Sequence, residues 1–321
     1  MARSAHNRYK DKRIGVLMGG VSAERDISLR SGRAIRKALL KKNYKVYSID
    51  VTTSLAQTLL KKKIGVAFIS LHGKWGEDGT VQGLLEIMQI PYTGSGVLAS
   101  ALALHKGMTK KILSYHRLPT AGFQILKAEE IKHADFHRKI EISLPLVIKP
   151  TAEGSTIGTS IVKQKRSLRN ACLKAAKFDQ HVLLEQFIEG KEITAGILNG
   201  EALPLIEIVP RGGFYNYQSK YTPGKTDYII PARVKKSVTL KIQQLALKAY
   251  HTLGCEGAAR VDFILSHKKS QPYILEINTI PGLTETSLLP MAANHAGIHF
   301  ENLAEKMILT ARLKGLILRG G

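Results

Sequence analysis

Apolar and polar positions alternate with two different periods over residues 14 to 100. Short apolar runs, IGVLM, KVYSID and IGVAFISL, have the length and residue types of strands. After the first run, Ile27, Ile35 and Leu39 recur at the spacing of one helix face, and a further helix is predicted near VQGLLEIM. Strands that alternate with helices are typical of a parallel sheet, so this part of the chain predicts an α/β domain.

The order of elements changes after residue 105. Up to about residue 190, helices over MTKKILSY and LRNACLKAAKF accompany strands at PLVIKP, TSIVK and HVLLEQFI, which predicts a small α+β module. From residue 191 strands dominate, at EITAGILNG, ALPLIEIV, AARVDFIL and PYILEIN. One amphipathic helix over Leu240 to Leu253 interrupts these strands, and a helix near FENLAEKMILTARL follows them.

The composition is that of a soluble protein with room for two or three domains, since 44% of the 321 residues are hydrophobic and 23% are charged. Cys172 and Cys255 lie far apart, with no CxxC or Cys/His cluster, so we expect neither a disulfide framework nor a zinc site, and a reducing cytoplasmic compartment. The apolar run after the basic N-terminus is too short for a signal peptide. No run approaches the ~18 apolar residues of a membrane span.

The formal charge of +23 is the one unusual value, because 48 Lys and Arg face only 25 Asp and Glu. Such an excess can serve nucleic acid or an anionic surface. The basic residues are scattered over many segments, however, and only 6% of residues are aromatic, so no base-stacking platform is evident. We therefore expect weak, non-specific polyanion binding and no specific nucleic-acid partner.

Four polar residues have strand spacing in two neighbouring apolar segments. Arg260 and Asp262 lie two residues apart in AARVDFILS, as do Glu276 and Asn278 in LEINTIPGLTET, and HKKSQP between the segments is typical of a hairpin loop. If the strands pair, all four side chains share one face. Asp262, Glu276 and Asn278 fit a magnesium site completed by nucleotide phosphates and water. A structural Arg–Asp–Glu network explains the pattern equally well.

Two glycine-containing segments near the N-terminus end predicted strands. In VLMGGVSAERD, backbone amides can receive an anion, Ser22 is a candidate N-cap, and Glu24 fits either the helix dipole or a substrate ammonium. In LHGKWGEDGTVQG, His72, Glu77 and Asp78 follow a parallel strand, where α/β folds bind ligands, although the two acids also fit loop and cap positions. Neither this GG pair nor GSGVLA supports a dinucleotide fingerprint.

The segment VIKPTAEGSTIGTSIVK predicts a strand, a glycine-rich loop and a second strand. Lys149 offers a charge for phosphate, and the turn at residues 153 to 156 offers backbone and hydroxyl donors. The chain has no Walker A loop, because Ser219 stands where the first glycine should precede Gly-Lys-Thr. Any nucleotide phosphates would therefore be held by lysines and a hairpin loop.

The segment VLLEQFIEGKEIT places an apolar pair between two carboxylates. Phe187 and Ile188 fit the walls of an adenine site, and a carboxylate such as Glu185 or Glu192 suits an adenine edge or a ribose diol. Solvated glutamates near a strand end explain the same pattern.

Long motifs give the chain a resemblance to one family. HGKWGEDGTVQG, PYTGSGVLASALALHKGMTK, VIKPTAEGSTIGTS, EIVPRGGFYNYQSKYTPGKT, ARVDF and LEINTIPGLTETSLLPMAA, in this order, resemble the D-alanine–D-alanine ligase family of the ATP-grasp superfamily. The resemblance runs from about residue 14 to 312. It implies a three-domain ATP-grasp fold, with a parallel-sheet domain at 1–104 and α+β domains at 105–190 and 191–321 that clamp ATP.

The resemblance also implies residues for ATP and two Mg²⁺ ions, with Mn²⁺ as a possible substitute. The expected ATP-binding residues are Lys106, Lys149, Ser155, Glu185, Phe187, Ile188, Glu192 and Lys220. Among them the first two lysines would hold phosphates and Lys220 the transferred γ-phosphoryl group. The expected metal ligands are Asp262, Glu276 and Asn278.

The same resemblance implies residues for two D-alanine molecules. The ammonium of the first would lie at Glu24, near His72, within a hydrogen-bonded set that includes Ser155 and Tyr221. Arg260 and the Gly282 amide would stabilise the oxyanion. Ser287 and Leu288 would receive the carboxylate of the second D-alanine.

The implied activity is ATP-dependent formation of D-alanyl-D-alanine through D-alanyl phosphate, for peptidoglycan precursors, by a cytoplasmic homodimer. Tyr221 accompanies alanine as acceptor in the family, which favours a dipeptide over products from D-lactate or D-serine. His105 and Asn216 stand where the family usually has aspartate, and we expect only a modest effect from His105. A basic, non-catalytic relative that binds nucleotide or nucleic acid is the alternative, although no expected phosphate or metal residue is missing.

Overall fold

The computed structural model describes residues 8–133, 135–211, 224–268 and 270–315. The first unit contains the parallel sheet that the sequence predicts. Its strand order is β2-β1-β3. Its strands are β1 (Arg13–Met18), β2 (Lys45–Asp50) and β3 (Val66–Ile69). Its helices are α1 (Arg25–Lys41), α2 (Leu55–Lys61) and α3 (Thr80–Ile87).

The second unit contains an antiparallel sheet with the order β4-β7-β5-β6. Its strands are β4 (Phe123–Lys127), β5 (Leu146–Pro150), β6 (Ser160–Val162) and β7 (His181–Gln186). Its helices are α6 (Ala128–Lys132), a 3₁₀ turn (Phe136–Lys139) and α7 (Lys165–Ala175). The predicted glycine-rich loop therefore connects two adjacent antiparallel strands, β5 and β6.

The third unit contains an antiparallel sheet with the order β11-β10-β8-β12-β13, and β9 pairs with β8. Its strands are β8 (Gly190–Leu198), β9 (Glu201–Ala202), β10 (Ile206–Pro210), β11 (Thr226–Ile229), β12 (Ala258–Ser266) and β13 (Pro272–Asn278). Helix α8 (Lys236–Thr252) packs against this sheet through Ile242, Ala246 and Ala249. The strands β12 and β13 form the predicted hairpin.

The remaining helices tie the first and third units together. Helices α4 (Val97–Leu104) and α5 (Lys106–Tyr115) contribute Ala103 and Leu113 to the core of the third sheet. Helices α9 (Leu288–His295) and α10 (Phe300–Leu309) return to the first sheet, where Leu289 joins a core with Ile14 and Phe68. The first and third sheets therefore share buried side chains. The expected domain boundaries after residues 104 and 190 stay predictions.

Two helices, α1 and α8, are 17 residues long. The predicted apolar face of α1 is buried, but the helix begins at Arg25, so the expectation that Ser22 is its N-cap was wrong. Ser22 Oγ instead accepts a hydrogen bond from the Glu24 N–H at 3.0 Å, within the turn that precedes the helix.

In the part of the chain that the structure describes, no helix has the length and apolar character to cross a membrane.

We expect Leu289→Ala to lower the free energy of unfolding by about 2–5 kcal/mol, because it opens a cavity in the core shared by two sheets. The Leu289 side chain is 0% exposed. Leu240→Ala is the matched control, since Leu240 is 50% exposed and its truncation should cost about 0.5 kcal/mol or less. Urea unfolding followed by circular dichroism measures both, and equal losses would contradict the shared core.

Candidate active site

The four polar residues of the β12/β13 hairpin share one face, as predicted. Arg260 pairs with Asn278 and Asp262 with Glu276 in the antiparallel register. The Arg260 guanidinium donates two hydrogen bonds to the Asp262 carboxylate, at 2.8 and 2.9 Å, and Thr194 Oγ1 donates to Asp262 Oδ1 at 2.6 Å. The Arg260–Asp262 part of the structural alternative is therefore present, on a face that also borders two cavities.

The larger cavity has a volume of about 530 Å³ and lies between the second and third sheets. Val147, Ile264 and Leu275 form part of its apolar wall. Most of the residues expected to bind ATP line it: Lys106, Lys149, Glu185, Phe187, Ile188 and Glu192, together with Glu276. Its size and mixed wall are within the usual range for small-molecule sites.

A buried carboxylate between two lysines forms the floor of this cavity. The Glu185 carboxylate makes ion pairs with Lys110 and, at 2.5 Å, with Lys149. Although burial disfavours its charge, Lys149 and Lys110 together hold the pKa of Glu185 below its usual value. Lys110 also donates to Thr120 Oγ1 at 2.7 Å and is fully buried. Glu185 is therefore held as a carboxylate in a fixed position.

Lys106 connects three elements at the other end of the cavity. Its ammonium donates to the Glu153 carbonyl at 2.7 Å and lies 3.3 Å from Glu276 Oε2. The preceding His105 is the N-cap of α5, and its Nδ1 accepts a hydrogen bond from the Met108 N–H at 3.2 Å. Aspartate, the residue expected at this position from the family motif, is also a good N-cap. Histidine at position 105 therefore keeps the capping interaction.

The second cavity has a volume of about 280 Å³. It brings together residues from distant parts of the chain: the expected substrate-binding residues Glu24, His72, Arg260, Gly282, Ser287 and Leu288, together with Ser155 and the expected metal ligand Asn278. A space of about 40 Å³ lined by Glu77, Lys106, Gly154, Glu276 and Asn278 shares residues with both cavities. Asn216, Lys220 and Tyr221 lie outside the described residues.

The glycine-rich loop forms the wall that the two cavities share. Ser155 Oγ donates a hydrogen bond to Glu24 Oε1, and a Cβ atom on Gly154 would lie only 2.6 Å from Glu24 Oε2. Ser155 and Thr156 have φ angles of 50° and 63°, in the left-handed region that non-glycine residues seldom adopt. The loop therefore reaches from the second unit to the first and brings its backbone against Glu24.

His72 is buried next to this loop contact. Burial lowers its pKa, an effect that the nearby Glu24 opposes, so His72 tends toward the neutral form. Its Nε2 lies 3.5 Å from Ser31 Oγ, which accepts the Leu283 N–H at 3.2 Å. These contacts connect α1 to the segment that follows β13.

The adjacent acids Glu77 and Asp78 have different roles. Asp78 is a loop and cap residue, because its carboxylate accepts the N–H groups of Trp75 at 2.8 Å and Thr80 at 2.9 Å. Glu77 is buried in the wall of the second cavity and accepts the Gly73 N–H at 2.7 Å. Burial, reinforced by Glu24, raises the pKa of Glu77 to about 8.

Family models match both halves of the chain. A model described as the D-ala D-ala ligase C-terminus covers residues 112–309, and one described as the D-ala D-ala ligase N-terminus covers residues 53–95. The chain belongs to the D-alanine–D-alanine ligase family. The match to residues 112–309 alone covers more than half of the 321 residues.

Individual members of the D-alanine–D-alanine ligase family match over nearly the whole chain. A protein named D-alanine–D-alanine ligase from Syntrophotalea carbinolica is 51% identical, with 95% of this chain and 98% of the relative covered. One from Desulforamulus reducens is 50% identical, with 93% and 98% covered. The solved structure of D-alanine–D-alanine ligase from Bacillus anthracis complexed with ATP has a TM-score of 0.81 at 35% identity, covering 93% of this chain and 97% of that one. The predicted ATP-grasp fold is confirmed.

Two site residues, Lys110 and Glu77, were not among the residues expected from the family motifs. Lys110 follows Lys106 by four residues on α5, so helical spacing was the available signal that both share a face. Glu77 was a candidate only through its position after a strand, which it shares with Asp78. The folded loop buries Glu77, whereas Asp78 accepts the Thr80 N–H at the start of α3.

We expect Lys110→Met to lower the free energy of unfolding by about 3–5 kcal/mol, because it removes one partner of a buried ion pair. We also expect weaker ATP binding, since Glu185 lines the larger cavity. Lys111→Met is the control, because the adjacent Lys111 is exposed. Thermal unfolding and calorimetric ATP titration test both effects, and unchanged ATP affinity in the Lys110 variant would contradict the second.

Glu77→Gln should change how stability depends on pH. The folded state keeps the Glu77 proton up to about pH 8, whereas the ordinary value is 4.5. Between these values the unfolded state binds fewer protons, so this residue makes the protein less stable as pH rises. Glutamine can still accept the Gly73 N–H but does not titrate.

The melting temperature of Glu77→Gln should therefore increase relative to that of the wild type from about pH 5 to about pH 8. The same substitution at the exposed Glu129 is the control. Differential scanning calorimetry across this pH range measures the trend, and identical trends in the two variants would contradict the buried-proton explanation.

Proposed function

We propose that this protein uses ATP to join two molecules of D-alanine into D-alanyl-D-alanine through a D-alanyl phosphate intermediate. The observation that carries the proposal is the adjacency of two cavities, one of nucleotide size and one of amino-acid size, which share Gly154 in their walls. The family relatives named above carry the name of this reaction. The expected site residues among those described line the two cavities or, like Asp262, contact a residue that does.

The first step makes a carboxylate reactive. A carboxylate is a poor electrophile, so the donor D-alanine carboxylate attacks the γ-phosphorus, an O–P bond forms, and the bond to the ADP oxygen breaks. Phosphoryl transfer needs positioning and charge neutralisation more than covalent help. We assign the phosphates to Lys106, Lys149 and Lys220, and the donor ammonium to Glu24 beside His72. Ser155 and Tyr221 complete the set around Glu24.

We assign the adenosine part of ATP to the apolar end of the larger cavity. Phe187 and Ile188 provide the wall and backbone there, and Glu192 the ribose contact. The Glu185 carboxylate lies at the floor of this region between its two lysines. A carboxylate accepts hydrogen bonds only, so it suits the exocyclic amino group of adenine.

Two Mg²⁺ ions fit the face that carries Asp262, Glu276 and Asn278, with Mn²⁺ as a possible substitute. Carboxylate and amide oxygens are the donors that magnesium prefers, and phosphate oxygens and water usually complete its shell. Among the described residues there is no group of three His, Cys, Asp or Glu placed to hold a metal alone, which suits a site shared with nucleotide. When bound, the ions would neutralise the phosphate charge.

The second step is attack by the acceptor amine on the acyl phosphate. The loop around Gly154 stands between the cavities and would help to keep water from this reactive species. We assign stabilisation of the developing oxyanion to Arg260 and the Gly282 amide. Removal of one such donor typically lowers the rate of an enzyme ~10²–10³-fold. Phosphate then leaves and the peptide bond remains. Ser287 and Leu288, at the N-terminus of α9, receive the acceptor carboxylate.

By the same family resemblance, we infer a homodimer that acts in the cytoplasm and supplies peptidoglycan precursors. The acceptor is D-alanine in preference to D-lactate or D-serine, and Tyr221 carries that choice. The basic nucleic-acid-binding alternative is not favoured, because the described phosphate-binding lysines and metal ligands gather around one pair of cavities.

Phosphate release with Mg-ATP and D-alanine, with the product identified by mass, tests the proposal. D-Lactate, D-serine and L-alanine run in parallel. We expect D-alanyl-D-alanine as the main product. A depsipeptide would keep the mechanism and contradict the acceptor choice, and no substrate-dependent phosphate release from folded protein would contradict the proposed activity.

A further inference from the structure

Arg30 lies at the second cavity, and no part of the mechanism above uses it. It lies on α1 three residues after Ile27 and six residues after Glu24, which precedes the helix, and all three residues line this cavity. Thr284, Thr286, Ser287 and Leu288, in the segment that leads into α9, line the same cavity. Arg30 is itself exposed, so its side chain lies where this cavity opens to solvent.

The Arg30 guanidinium has no hydrogen bond or ion pair with any of the described residues. The other arginines near this site have roles already: Arg260 is bound to both oxygens of Asp262 and is assigned above to the oxyanion, and Arg25 is paired with Asp50 at 2.5 Å. Among the described residues that line this cavity, Arg30 is therefore the arginine to which the mechanism above gives no role, and it can bind an anionic group of a ligand. Guanidinium binds carboxylate in a planar, two-point geometry.

The spacing along α1 matches the length of the product. Glu24 and Arg30 are six residues apart, which corresponds to about 9 Å along a helix axis. An extended dipeptide spans about 7 Å, and the flexible arginine side chain covers the difference. Glu24 and Arg30 thus place a carboxylate and a guanidinium in the lining of one cavity, complementary to the ammonium and carboxylate ends of a dipeptide.

We propose that Arg30 binds the carboxylate of the acceptor amino acid, together with Ser287 and the N-terminus of α9, and selects acceptors that carry a free carboxylate. This inference rests on the proposed function. The donor carboxylate is a separate group, since it must lie against the nucleotide cavity to reach the γ-phosphate. Arg30 lines the second cavity together with residues at 284 to 288, and it does not line the nucleotide-sized cavity.

Internal competition between two acceptors tests the role of Arg30. D-Alaninamide has no carboxylate, so it cannot become an acyl phosphate and acts only as an acceptor. With Mg-ATP, D-alanine and D-alaninamide in one mixture, mass spectrometry gives the ratio of D-alanyl-D-alanine to D-alanyl-D-alaninamide. This ratio does not depend on how much of each variant is folded.

We expect Arg30→Gln to lower this ratio about tenfold, in keeping with the loss of one charge-assisted interaction, and Arg30→Lys to lower it less. Arg33→Gln is the matched control, because Arg33 is exposed on the next turn of α1 and does not line the cavity. The KM for ATP should be unchanged in all three variants.

An unchanged ratio in Arg30→Gln, or an equal fall in Arg33→Gln, would overturn the assignment even if dipeptide is still made. Absence of any dipeptide or phosphate from the wild-type protein would instead overturn the proposed function, and this inference with it. The two failures are therefore distinguishable in the same assay.

Discussion

Ion pairs between different elements hold together the wall of the larger cavity. Lys106 joins α5 to Glu276 on β13, and Lys110 and Lys149 join α5 and β5 to Glu185 on β7. A buried charge without a partner loses several kcal/mol of hydration, roughly, so each pair holds its two elements in one relative position. Helix α5 is thereby tied to both the second and the third sheet, and the larger cavity lies between these sheets.

The loop between β5 and β6 forms the wall that the two neighbouring cavities share. Its contact with Glu24 brings the second unit against the first, and the strained backbone of Ser155 and Thr156 is the cost of that approach. A side chain on Gly154 would displace the Glu24 carboxylate to which Ser155 donates. Activation of one amino acid and attack by another require this adjacency, since the intermediate must be protected from water between the steps.

Local spacing predicted the β12/β13 hairpin correctly, but it could not predict how distant segments pack together. Arg260, Asp262, Glu276 and Asn278 were placed on one face correctly, because a strand has a side-chain period of two whatever surrounds it. The start of α1 was predicted too early, since the Ser22 hydroxyl bonds within the preceding turn. The position of Glu77 after a parallel strand marked it as a candidate but could not separate it from its neighbour Asp78. Arg30 gave no local signal, because exposed arginines are common on helices.

The sequence by itself determined the α/β and α+β units, the strand pairing around the glycine-rich loop, the family and the candidate residues for ATP and D-alanine. These depend on period, turn residues and ordered motifs, all of which are local or cumulative along the chain. Only the tertiary structure decided that Lys110 supports Glu185, that Glu77 is buried with a raised pKa of about 8, and that Arg30 lines the same cavity as residues at 284 to 288. Burial and long-range contacts set those properties, and they arise only once three separate sheets pack around one site.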